Sequence, residues 1–178
     1  MPWNNDNVEL YHGTDTSQLG TIGIDPNPHG LLVTKCRRGT DFGMGFYLTT
    51  YMHQAEQWAN EAYYRNLSPT GANQQAIVLS FEVERDLLAS LQALVFVRET
   101  PDFWSLVRHC RGGYSPHNRV QTTYNPPPRA EYDLVYGPVA HWRQTLVFKD
   151  CDQISVNAQL ALDKLPSPSI KSSGNPIF

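Results

Sequence analysis

The stretch DFGMGFYLTT, residues 41–50, places two glycines directly before an aromatic pair. Glycine loses more backbone entropy on folding than other residues, so Gly43 and Gly45 indicate a left-handed turn, a bulge or a close backbone approach. Two interpretations are open on these residues alone. Either a β-bulge stands at the entrance of a strand, or a ligand lies against the backbone with Tyr47 as its platform.

Two further segments place polar side chains at the ends of predicted strands. YHGT at 11–14 sets His12 beside a glycine, and DQIS at 152–155 opens a late strand with Gln153. These segments are the second group of candidate functional residues.

The pattern of apolar residues, glycines and prolines predicts the elements that carry these segments. Thr100, followed by a proline, is expected to cap a helix, and Thr50 is expected to cap another. The chain between 15 and 39 predicts a long connection with one short helix near Gln18, and 114–131 predicts a loop. Strands are predicted over 8–14, 45–50, 76–83, 93–97, 132–140 and 152–158, and helices over 51–66, 100–113 and 159–165.

Strands outnumber helices and do not alternate with them regularly, which favours an α+β fold. The 178 residues predict a single domain over 1–165. Residues 166–178, PSPSIKSSGNPIF, predict a disordered C-terminal tail.

Composition excludes several classes of function. Hydrophobic residues make up 40% of the chain, charged residues 17%, and the net charge is −3, so nucleic acid is a disfavoured partner. Three widely spaced cysteines argue against a disulfide framework, and the histidines lack metal-ligand spacing, so no metal is expected. No membrane-spanning run is expected, and MPWNNDNVEL lacks the features of a signal peptide. A cytoplasmic protein is therefore predicted, with delivery to another cell left open.

His, Tyr and a polar residue on a late strand, in that order, resemble the His-Tyr-Glu signature of the diphtheria-toxin-like and PARP-like ADP-ribosyltransferases. The match is closer to a group of small bacterial and fungal proteins of that superfamily, whose pattern runs YHG[ST], DFGxGFYLTT…QAxxWA, YDxVxGPVA and DQIS. The resemblance implies a split β-sheet core with flanking helices, and NAD as co-substrate. The four segments stand here, in order, at Tyr11–Thr14, Asp41–Ala59, Tyr132–Ala140 and Asp152–Ser155.

The resemblance gives the first segment a role in NAD binding. His12 would bond the adenosine ribose, and Gly13 would offer its own N–H and C=O to the nicotinamide amide. Thr14 would add a hydroxyl, or would merely cap the next segment. The alternative for His12 and Gly13 is a strand-end histidine bonded to backbone and a simple turn glycine.

The second segment would hold the nicotinamide ring. Tyr47 would stack on the ring, Trp58 would close its other face, and Gly43 and Gly45 would let NAD lie close. Arg38 would meet the pyrophosphate. The alternatives are a core tyrosine, a core-facing helix tryptophan and a solvated basic loop.

Gln153 would be the third catalytic residue with His12 and Tyr47, where the best-known members carry glutamate. A glutamine keeps a hydrogen bond to the nicotinamide ribose and loses the charge, which favours single transfer over chain elongation.

The resemblance thus predicts a mono-ADP-ribosyltransferase with a protein as its acceptor. It would act in the cell that produces it, or in another cell as an effector or toxin. A non-catalytic NAD- or ADP-ribose-binding module and an NAD glycohydrolase are the alternatives.

Overall fold

The protein is described from a computed structural model, which covers residues 5–22, 30–67, 74–113 and 132–177. The loop predicted over 114–131 lies outside these residues. The fold is α+β, with two sheets and five α-helices in the described part of the chain. The strands are β1 (Val8–Asp15), β2 (Phe46–Leu48), β3 (Ala76–Val83), β4 (Ala93–Val95), β5 (Leu134–Ala140), β6 (Val147–Val156) and β7 (Ser169–Gly174). The helices are α1 (Leu19–Ile22), α2 (Met52–Asn66), α3 (Arg85–Ser90), α4 (Pro101–Arg111) and α5 (Gln159–Leu162).

The chain divides into two compact units, each built from separate stretches of sequence. The described residues of Met1–Leu31, Leu48–Leu87 and Leu165–Phe178 form the first unit, and those of Leu32–Tyr47 and Leu88–Lys164 form the second. A single domain over 1–165 stays a prediction.

The first unit contains a three-stranded antiparallel sheet in the order β1-β3-β7. Helix α2 places Ala55, Ala59 and Tyr63 at intervals of four residues, so that they share one face. All three are buried in a core cluster with Ala76 and Val78 of β3.

The second unit contains a four-stranded sheet in the order β2-β6-β5-β4, with β4 parallel to β5 and β6 antiparallel to it. Helix α4 begins as expected, because the Thr100 hydroxyl accepts the Phe103 N–H at 3.1 Å. Its apolar face packs into a core cluster with Phe42, Phe96 and Val135.

Among the differences from the sequence prediction, three concern the positions of elements and caps most directly. Residues 169–174 were assigned to a disordered tail, yet they form β7, because β3 supplies a partner along Ala76–Ser80. Strand β6 begins at 147 rather than 152. Thr50 does not cap α2, because the N-cap position is Tyr51, whose side chain makes no capping hydrogen bond.

Candidate functional site

In the first unit, the candidate residues of YHGT lie on β1. Tyr11 donates its N–H to the Thr49 carbonyl at 2.8 Å and accepts the Thr49 N–H at 2.9 Å, so its backbone points away from β3. Backbone direction alternates along a paired strand, so the N–H and C=O of Gly13 point to the same edge as those of Tyr11. The contact of the Gly13 N–H and C=O with the nicotinamide amide stays a prediction.

The missing side chain of Gly13 has a structural cause that the sequence did not indicate. A Cβ on Gly13 would lie 2.6 Å from the Ala59 nitrogen and 2.9 Å from the Trp58 Cβ, with the Ala55 carbonyl oxygen nearer still. Glycine at this position therefore lets α2 pack directly onto β1. The structure brings Gly13 and Trp58 together through this packing.

His12, Thr14 and Trp58 differ in exposure. Thr14 is buried, whereas His12 on β1 and Trp58 on α2 are half-buried. Their predicted roles toward NAD stay predictions.

Tyr11 is tied into a polar cluster centred on Glu9. The Glu9 carboxylate accepts from the Tyr11 hydroxyl at 2.8 Å, from Ser80 at 2.6 Å and from Lys171 of β7 at 2.8 Å. The pKa of Glu9 is lowered to about 2, chiefly by the bond from Lys171 and then by the two hydroxyl bonds. This cluster links the three strands of the sheet at side-chain level.

In the second unit, the hydroxyl of Tyr47 on β2 closes the turn before it. It accepts the Phe42 N–H at 2.8 Å, and its oxygen lies 2.8 Å from Thr40 Oγ1 and 3.0 Å from the Gly43 carbonyl oxygen. Burial raises the pKa of Tyr47 well above its ordinary value, so the hydroxyl stays protonated. The ring packs against the cluster around Phe42, and its stacking on nicotinamide stays a prediction.

The two glycines of this turn also have causes inside the second unit. Gly43 has a φ of +80°, in the left-handed region that favours glycine. A Cβ on Gly45 would meet Asn157 Nδ2 at 2.8 Å, with Ser155 Oγ nearer still. The bare strand entrance thus makes room for β6 and the residue after it, and NAD contact at Gly43 and Gly45 stays a prediction.

Gln153 lies on β6, buried, and opposite Gly137 of β5. Its amide nitrogen donates to Asp41 Oδ2 at 2.7 Å and to the Pro138 carbonyl at 3.0 Å. The Asp41 carboxylate accepts hydrogen bonds from residues about 70 to 110 positions later in the chain.

Arg111, at the end of α4, is the strongest partner of Asp41, and the sequence analysis missed it. Its guanidinium lies 2.6 Å from Asp41 Oδ1, donates to the Ala140 carbonyl at 2.8 Å and lies over the Trp142 ring at 4.7 Å. The Ala140 N–H donates to the other Asp41 oxygen at 2.9 Å. The sequence offered only an acid in DFG and a basic last turn of α4 as signals.

Asn157 is a second residue that sequence reasoning missed. Its amide nitrogen donates to the Phe42 carbonyl at 3.0 Å and the Met44 carbonyl at 3.1 Å. Asn157 and the Tyr47 hydroxyl therefore bond different backbone groups of the same turn. Arg38, the predicted pyrophosphate ligand, is exposed in the loop before this turn.

The chemistry of other groups in the described ranges is limited. Burial, and then the charge of Asp41, raise the pKa of Cys110 to about 12, so this thiol is not a nucleophile near neutral pH. Within those ranges no cluster of three or more His, Cys, Asp or Glu side chains could hold a metal ion. Among the same residues, no helix has both the length and the apolar character needed to cross a bilayer.

A family model described as "Protein of unknown function (DUF3990)" matches residues 8–168. The chain belongs to the DUF3990 family. The DUF3990 match includes all four segments of the pattern quoted above, from Tyr11 to Ser155. Among curated proteins, none matches the chain.

Proposed function

We propose that this DUF3990 protein is a mono-ADP-ribosyltransferase. It cleaves NAD at the bond between nicotinamide and ribose and transfers ADP-ribose to an acceptor, most simply a protein side chain. NAD is a co-substrate, and no metal takes part.

The direction of the Gly13 backbone carries this proposal. A carboxamide is matched by one N–H donor and one C=O acceptor, and Gly13 directs both toward one strand edge, away from β3. The glycine follows His12 in the order that the superfamily signature requires. Any other residue at this position would push α2 off the strand.

The architecture supports the same proposal. The resemblance implies a split β-sheet core with flanking helices, and the described residues form one three-stranded and one four-stranded sheet. His12, Tyr47 and Gln153 each lie on a strand, namely β1, β2 and β6.

The reaction breaks the ribose C1′–N bond, and nicotinamide leaves with the electron pair. The acceptor atom then forms a new bond to C1′ and loses its proton to solvent or to a base. Positive charge develops on the ribose in the transition state, so a group that bonds the sugar more tightly at that moment accelerates the step. Gln153 supplies a neutral amide rather than a carboxylate, which suits one transfer better than polymer growth.

One observation favours a second candidate, a non-catalytic NAD- or ADP-ribose-binding module. Gln153 is only 4% exposed, and its amide nitrogen is already bonded twice. A buried residue that makes structural hydrogen bonds at the third signature position also suits a protein that binds NAD without cleaving it.

Release of nicotinamide from NAD tests the proposal. His12→Ala is expected to lower the release rate by about ten-fold or more, since one lost hydrogen bond to the ligand costs about 1–2 kcal/mol. The matched control is His53→Ala, which removes an exposed histidine of α2 in the same unit and should leave the rate unchanged.

Three further results separate the alternatives. Label passing from NAD to a macromolecule in a cell lysate supports transfer, whereas nicotinamide release without label transfer supports a glycohydrolase. A rise in melting temperature with NAD, but no nicotinamide release, supports the binding module. The absence of all three results at millimolar NAD refutes an NAD-directed function.

A further inference from the structure

We infer that Asp41 is the positioning residue for Gln153 and that it is the reason why this position carries an amide rather than a carboxylate. Gln153 offers two N–H groups, and both point at acceptors: Asp41 Oδ2 at 2.7 Å and the Pro138 carbonyl oxygen at 3.0 Å. An acceptor atom in place of that nitrogen would face a carboxylate and a carbonyl at once. The position therefore requires a donor.

The same two bonds fix which way the amide faces. Turning it over would set its oxygen against both acceptors, so the nitrogen end is held and the oxygen remains the accepting end. This second step rests on the proposed function, in which that oxygen accepts a hydroxyl of the nicotinamide ribose. The departure from glutamate then follows from the partner that the fold provides.

The Asp41 carboxylate is itself held in place by Arg111 and by a backbone N–H. Arg111 lies at 2.6 Å from one of its oxygens, and the Ala140 N–H donates to the other at 2.9 Å. Arg111 in turn donates to the carbonyls of Ala140 at 2.8 Å and His141 at 3.0 Å. The carboxylate is thus fixed from two sides, and Gln153 must adapt to it.

Several charged or titratable groups lie near Asp41 and Gln153. Among them, Asp41 is the one that accepts from the Gln153 amide. Arg111 carries the compensating positive charge for Asp41. Asp152 is the neighbour of Gln153 on β6, and alternation of the strand turns it to the opposite face. The charge of Asp41 adds to burial in raising the pKa of the Cys110 thiol and of the Tyr47 hydroxyl, so both stay protonated near neutral pH.

Unfolding of Gln153→Glu as a function of pH tests the first step. The new carboxylate would share a site with Asp41, so its pKa in the folded state would rise above the ordinary value of about 4.3. A group with a raised folded pKa supports stability at low pH and loses that support as pH rises through the folded pKa. We expect the folding equilibrium constant, relative to wild type, to fall about ten-fold or more between pH 4 and pH 8.

Gln153→Met is the matched control, because it removes the same two bonds without adding charge. Its folding equilibrium constant, relative to wild type, should fall about ten-fold less than that of Gln153→Glu over the same pH range. A fall for Gln153→Glu no larger than that for Gln153→Met overturns the inference.

A double-mutant cycle tests the pair directly. The amide of Asp41→Asn can donate to the new carboxylate, so Gln153→Glu should cost about ten-fold less at pH 8 in that background than in wild type. Equal costs in the two backgrounds overturn the inference. Should Gln153→Glu alone not be recovered folded at pH 8, its recovery at pH 5 or with Asp41→Asn supports the inference, and failure of both overturns it.

Nicotinamide release tests the positioning role separately. Asp41→Asn should lower kcat by about ten-fold and change KM by less than about three-fold, because a misdirected Gln153 amide weakens the transition state more than the bound substrate. An active wild type with an Asp41→Asn variant of unchanged kcat overturns the positioning role. A wild type that releases no nicotinamide refutes the proposed function instead, and the unfolding comparisons then decide the inference alone.

Discussion

Replacing Gly13 by alanine should destabilise the protein by about 3 kcal/mol, at the upper end of the range for an overpacked core. The added Cβ would lie 2.6 Å from the Ala59 nitrogen and closer to the Ala55 carbonyl oxygen. Both are backbone atoms of α2, so no side-chain rotation relieves the clash. The helix would have to move by about 1 Å to restore contact distances, which would open the cluster that Ala55 and Ala59 form with β3.

Equilibrium unfolding in urea measures this loss as a lower midpoint at unchanged slope. Gly20→Ala is the matched control in the same unit, because its Cβ would meet nothing within 4 Å and Gly20 lies in α1. Alanine is the better helix former, so the control should gain about 0.5–1 kcal/mol. A Gly13→Ala protein as stable as wild type would refute the argument that helix packing dictates this glycine.

Two other substitutions test contacts described above. Tyr47→Phe keeps the ring but removes the hydroxyl that closes the preceding turn, and the loss of partners for buried groups should cost about 1–3 kcal/mol in urea unfolding; an unchanged midpoint would contradict this role. Lys171→Met should raise the pKa of Glu9 from about 2 toward the ordinary value of about 4.3, as followed by NMR titration of its carboxyl carbon. Because the lowered pKa gives stability that is lost as pH falls through about 2, the variant should lose less stability than wild type on acidification, and identical pH profiles would contradict the assignment.

The elements that the sequence predicted well are those whose stability is local or whose burial is continuous. Strand β3 was predicted at 76–83 as observed, since its run of apolar residues is buried almost throughout. Helix α4 was predicted nearly to its ends, because a threonine cap and a proline mark its start and a glycine pair follows its end.

The elements that were missed depend on partners far away in the chain. SIKSSG in β7 carries little apolar signal and becomes a strand only because β3 pairs with it. The early part of β6 is separated from the predicted part by an irregularity in the pairing opposite Pro138 and Ala140, where Asp150 has a φ of +53°. No local sequence pattern indicates such a break in the alternation of side chains along the strand.

The candidate residues were singled out from the sequence, but their neighbours were not. Gly13, Gly45 and Tyr47 were chosen by residue type. The packing reason for Gly13 lies in the backbone of α2, and that for Gly45 lies chiefly in the side chains of Ser155 and Asn157. Arg111 and Asn157 could not be foreseen, because their bonds to 41–44 span 70 or more positions.

The arrangement of the first unit sets an order on its biosynthesis. Its sheet needs β1 and β3 from the first half of the chain and β7 from residues 169–174, while residues 88–164 of the second unit are translated in between. Until β7 leaves the ribosome, β3 has no partner on the side that β7 later covers. An open strand edge of this kind is a template for wrong pairing. Nascent chains of this protein are therefore most in need of chaperone protection during the synthesis of the second unit.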